Sequence, residues 1–151
     1  MINTRYLFLD ANVYDRYIFH LRTGLLLNLI ATHLPGIHII VCSELFTEIR
    51  TVCNRPGKPF ELMKSKGLAD VNAAVEKEIS IIKLFAGIDI TDTIPITEQQ
   101  PKADPKDWYI HNLGKQYNVT IVSNDTHLIQ LKNKPYPFFT ADEFLNQLKA
   151  L

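Results

Sequence analysis

The feature that most constrains this chain is a repeated pairing, in which a short run of β-branched and aromatic residues gives way to a stretch with helical spacing. YLFL at 6–9, IHIIVC at 37–42 and VTIVS at 119–123 read as buried strands, because residues that suit a packed, pleated surface dominate each of them. Strands that alternate with helices pair in parallel across helical crossovers. The pattern therefore predicts a three-layer α/β/α sandwich around a central, mainly parallel sheet. With 151 residues, 46% of them apolar, the chain suits one such domain over 1–151.

Local signals fill in the frame. Val13, Tyr17, Leu21, Leu25 and Leu29 are spaced for one helix face that Pro35-Gly36 ends, with Gly24 as its weak point. Ser43 is expected to cap the next helix, with Leu45, Phe46, Ile49 and Val52 inward and Arg55-Pro56-Gly57 as the break. A helix over 70–86 turns Val71, Val75, Ile79, Ile82 and Phe85 inward, Gly87 stops it, and 88–90 is a short strand. The polar stretch TDTIPITEQQPKADPKD reads as a loop leading to a helix over 105–117. Pro137-Phe138-Phe139 reads as a short strand, and Thr140 to Glu143 as a capping box opening the last helix.

Charge excludes little. Sixteen basic and sixteen acidic residues cancel, so binding to nucleic acid would have to come from a local patch. Cys42 and Cys53 lack zinc spacing and are expected as buried free thiols. No apolar run reaches membrane-spanning length and no signal-peptide core is visible, so a soluble, cytoplasmic protein with no membrane partner is expected.

The acids are more informative. Ligands of open parallel sheets bind at the carboxyl ends of the strands, and acids stand there repeatedly: Asp10 after the first strand, Glu44 and Glu48 after the second, and Asp125 after VTIVS. Asp104 and Asp107 open the helix that precedes VTIVS. Taken singly, most of these suit helix capping or a first helical turn. Glu48 fits that explanation poorly, because it lies between Leu45 and Ile49, near the apolar face of its helix. Converging carboxylates would repel one another unless a cation lay among them. Hard divalent ions such as Mg²⁺ or Mn²⁺ prefer oxygen ligands and bridge to phosphates, which points to metal-assisted phosphoester chemistry.

The ordered set LFLDANV, VCSELFTEI, DPKDWYIHNLG, TIVSNDTHL and PFFTADEFL resembles the PIN-domain family of metal-dependent ribonucleases. The resemblance implies a catalytic and metal-binding set of Asp10, Glu48, Asp107 and Asp125, with Asn12 and Ser123 supporting the ligands. Glu44 is the alternative to Glu48. His127 stands where many members carry a further acid, and Asp104 is a possible substitute for it. Arg50, Arg55, Lys58, Lys64 and Lys66, against only Glu61, form a candidate RNA-gripping edge. Phe60 and Trp108 are either base-stacking or packing residues. The family also implies RNA as substrate, the role of toxin in a bacterial toxin–antitoxin pair, an antitoxin protein as partner, and homodimers. The alternative is a catalytically silent scaffold of the same kind that binds RNA or protein.

Overall fold

The computed structural model describes residues 2, 4–67, 70–89, 108–116 and 118–150. Five short strands, β1 (Tyr6–Leu9), β2 (His38–Val41), β3 (Ile88–Asp89), β4 (Val119–Val122) and β5 (Phe138–Phe139), form one sheet in the order β3-β2-β1-β4-β5. Every pairing is parallel. Tyr6 and Leu7 register with His38 and Ile39 on one side and with Val119 and Thr120 on the other. β1 is therefore the central strand. Leu7, Phe8 and Leu9 are wholly buried, and so are Val119, Thr120, Ile121 and Val122, as expected for parallel strands covered on both faces.

Between the strands run α1 (Ala11–Ile18), α2 (Thr23–His33), α3 (Ser43–Asn54), α4 (Lys58–Ser65), α5 (Val71–Phe85), α6 (Trp108–Gln116) and α7 (Thr126–Gln130), and α8 (Ala141–Ala150) follows β5. Handedness allocates them to layers. The chain steps from β1 outward through β2 to β3, then returns past β1 to β4 and β5. Right-handed crossovers put connections that step in opposite directions on opposite faces. Thus α1 to α5 cover one face while α6 and α7 cover the other, and the direction of winding reverses between β1 and β4.

Several local expectations are corrected. The stretch 13–34 is two helices, and the break precedes Gly24: Leu21 takes the left-handed conformation at φ 55°, and Arg22 N–H donates to Tyr17 O at 2.7 Å, a Schellman-like closure. The buried face consists of Val13, Tyr14, Ile18, Leu26, Leu27 and Ile30, while Leu21 and Leu25 are exposed. Cys42, rather than Ser43, occupies the N-cap of α3. The segment after Pro56-Gly57 is helical, as α4, with a proline in its first turn. The capping box holds: Thr140 N–H donates to Glu143 Oε1 at 2.9 Å and Glu143 N–H to Thr140 Oγ1 at 3.3 Å. The expected loop at 91–107 and the start of the helix at 105 lie outside the described residues.

Candidate active site

Asp10 follows β1 directly and caps α1. Its backbone N–H donates to Val122 O at 3.0 Å, tying the two central strands together where both end. Its side chain is 2% exposed and fully engaged: Oδ1 accepts from Ala11 N–H at 2.7 Å, and Oδ2 accepts from Ser123 Oγ at 2.6 Å and Asn12 Nδ2 at 3.3 Å.

Ser123 and Asn12 join the segments after β1 and β4. Ser123 Oγ donates to Asp10 and accepts from Asp125 N–H at 3.0 Å and Asn12 Nδ2 at 3.4 Å. Asn12 Oδ1 in turn accepts from Asn124 N–H at 3.1 Å, and Asn124 Oδ1 accepts from Ala141 N–H at 2.9 Å. Both loops and the start of α8 are thus locked into one polar network, and such fully satisfied networks hold their members in a single arrangement. Asn124 was not among the residues singled out from sequence.

Asp125 caps α7, its Oδ1 accepting from His127 N–H at 2.8 Å. His127 Nδ1 lies 3.3 Å from the same oxygen. Asp125 is close enough to Asp10 for their charges to oppose each other: burial first, and Asp125 in addition, push the Asp10 carboxyl up to about 6 although Ser123 and Ala11 donate to it. That coupling across the strand ends joins two of the four acids implied by the resemblance.

A fifth acid belongs here. Asp15, on α1 and five residues beyond Asp10, is 8% exposed, and burial, then Asp10, then Glu48 push its carboxyl up to about 8. Cys53 Sγ is its donor at 3.9 Å, and the Arg55 charge acts in the opposite direction. Glu48 on α3 therefore faces α1 and its acids, as its place on the apolar side of the helix suggests. Glu44 lies instead with Ser43 and Cys42. The signal for Asp15 was in the sequence: with Ala11 four residues before it and Ile18 three after, it occupies the apolar face of α1.

Asp104 and Asp107 lie outside the described residues, as do the side chains of Lys58 and Trp108. Among the described residues, no three His, Cys, Asp or Glu side chains come close enough together to hold a metal ion. Of the expected RNA-gripping residues, Arg50 is bound to Glu76 by two hydrogen bonds, at 2.6 Å and 3.2 Å. Arg55, Lys64 and Lys66 are exposed. Phe60 packs against the core, and Cys42 and Cys53 are buried free thiols.

Fold and site together define the class: a parallel α/β domain with Asp10 and Asp125 meeting at the reversal of its winding, the place where such sheets hold their ligands. No family model and no curated protein sequence matches the chain. Among solved structures it is similar to the T. brucei RRP44 PIN domain, with 14% sequence identity over 98% of this chain and 83% of that one and a TM-score of 0.47.

Proposed function

We propose that this protein is a PIN-type, metal-dependent endoribonuclease that hydrolyses RNA phosphodiester bonds in the crevice between the ends of β1 and β4. The observation that carries this reading is the meeting of Asp10 and Asp125 where β1 and β4 end, with Glu48 adding negative charge from the α1–α3 side while Asp15, its carboxyl pushed up to about 8, stays protonated at neutral pH. The donor set is all oxygen, which suits Mg²⁺ or Mn²⁺. Such ions need only one or two protein carboxylates when waters and substrate phosphates complete their shell. Asp10 has both oxygens engaged, yet an ionised carboxylate has about four lone-pair sites, so capacity remains.

Asp10 and Asp125 would hold the ion directly, and Glu48 and Asp107 would complete the shell by analogy with the PIN family. When bound, the ion supplies a coordinated water of lowered pKa and neutralises charge on the phosphodiester. Ser123 and Asn12 fix the Asp10 carboxylate, and His127 N–H fixes that of Asp125, so neither has to reorganise as charge develops. We further assign the protein to the toxin side of a toxin–antitoxin pair, acting in the cytoplasm. An antitoxin chain would cover the acidic crevice, and a second copy of the toxin is a further partner.

The test is cleavage of a panel of single-stranded and structured RNAs with Mg²⁺, Mn²⁺ or EDTA, using wild type, Asp10→Asn and Asp125→Asn. The expected result is metal-dependent cutting, reduced at least a hundredfold in each variant, on the order of magnitude seen when a group stabilising the transition state is lost. Cutting that survives both substitutions refutes the assignment. A second reading rests on His127, whose backbone and ring both address one oxygen of Asp125. RNA binding without any cutting would favour the silent scaffold.

A further inference from the structure

Among the described residues, the cations of this neutral chain are unevenly matched. Arg50 is held by Glu76 on the α3–α5 side, whereas no described carboxylate lies within ion-pair distance of Arg55 or Lys66, whose side chains stand at the α1–α4 edge. Lys66 makes an unusual contact instead: its Nζ lies 3.1 Å from Nδ1 of His20, with both residues exposed. The left-handed turn at Leu21 that closes α1 sets the backbone from which His20 projects.

This pair lies at the far end of a row that starts inside the crevice. Asn12 and Arg16, four residues apart on α1, lie within about 40° of one another around the helix and about 6 Å apart along it, and His20 follows two residues past the helix end. Asn12 belongs to the crevice network. Arg16 is largely exposed, and its ion pair with Asp142, at 3.5 Å, is on the open surface, where such pairs hold weakly. Arg55 stands at the same edge, near enough to Asp15 to act on its charge.

We infer that His20 and Lys66 form an anion clamp for a backbone phosphate of single-stranded RNA. The strand lies along the Asn12–Arg16–His20 row with its reacting phosphodiester in the crevice. Lys66 Nζ donates to the imidazole Nδ1, which leaves the remaining ammonium N–H groups and the imidazole Nε2–H as donors to a phosphate, in charge-assisted contacts. A single file of hydrogen-bond donors matches one backbone, whereas a duplex offers two. The inference rests on the nuclease reading for the direction of the strand, though the clamp itself can be tested without any cleavage.

Binding of a labelled single-stranded RNA should be measured by fluorescence anisotropy in EDTA, in the Asp10→Asn background so that nothing is cut. His20→Gln and Lys66→Gln should each weaken binding roughly three- to tenfold, and Lys66→Gln should also flatten the salt dependence by about 0.7 in log–log slope. Lys66→Arg should restore affinity. Lys149→Gln, which removes the same charge from the exposed end of α8, should change nothing. Equal loss in the Lys149 variant, or none in the clamp variants, overturns the clamp even if wild type cuts RNA. Tighter binding of the matching duplex overturns the single-strand assignment. Loss confined to the clamp variants, in a protein that cuts no RNA, leaves the clamp standing and removes the nuclease.

Discussion

A carboxyl shifted from 3.8 to about 8 by burial, as Asp15 is, links folding to pH in the opposite sense to a salt-bridged acid. Below about pH 4 the group is protonated whether the chain is folded or not, and its burial costs nothing extra. Between about 4 and 8 the unfolded chain releases the proton while the folded chain keeps it. Stability therefore falls as pH rises through that window and levels off above it. Asp15→Asn should remove this dependence. In EDTA, the variant should match wild type near pH 4 and be more stable by on the order of 2–4 kcal/mol near pH 8.5, read from urea unfolding at each pH. A variant less stable than wild type at pH 8.5 would show that Asp15 is ionised and satisfied in the fold. At this scale the sequence was legible in part. Glu48 stood out because an acid sat near an apolar helix face, and Asp15 passes the same test. Asn124 did not stand out, since a turn asparagine looks the same whether or not its amide spans two loops.

Helix α6 shows how much an element can depend on one missing methyl group. A Cβ at Gly114 would stand 2.5 Å from Cδ1 and 2.6 Å from Cγ of Tyr136, and that ring is buried and bonded through its hydroxyl to His111 Nδ1 at 2.8 Å. The ring cannot swing away cheaply, so Gly114→Ala should destabilise the fold by about 1–3 kcal/mol despite the gain in helix propensity. A melting temperature equal to or above that of wild type would refute this. Element boundaries were legible where local chemistry sets them, as at the Thr140–Glu143 capping box or the Val71, Val75, Ile79 and Ile82 stripe of α5. They were misread where tertiary packing decides. Leu21 and Leu25 continue an apolar period, but the turn after α1 rotates the following helix so that Leu26, Leu27 and Ile30 face the core instead. The break at Arg55-Pro56-Gly57 stands, since α3 ends at Asn54, and α4 opens directly after it with a proline in its first turn, where the missing N–H has no partner in any case.

For the whole molecule, the sequence implied parallel strands but carried no local sign of their order. That β1 is central and β4 lies beside it follows from how the crossovers pack. Only that order brings Asp10 to Asp125. If the crevice binds a divalent ion, the ion binds the folded state alone. Millimolar Mg²⁺ or Mn²⁺ at pH 8 should then raise wild-type stability, by about 2.7 kcal/mol at a hundredfold excess over the dissociation constant, and leave Asp10→Asn nearly unmoved. An equal shift in both would place the ion elsewhere. The central strand pair has one further consequence. Asp10 and Ser123 are 113 residues apart in the chain, so while the protein is being synthesised its first acids emerge long before the strand that orients them. Until β4 has left the ribosome and paired with β1, the growing chain contains no assembled crevice. On the nuclease reading proposed above, the protein would be inactive toward the messenger that encodes it until its synthesis is nearly complete.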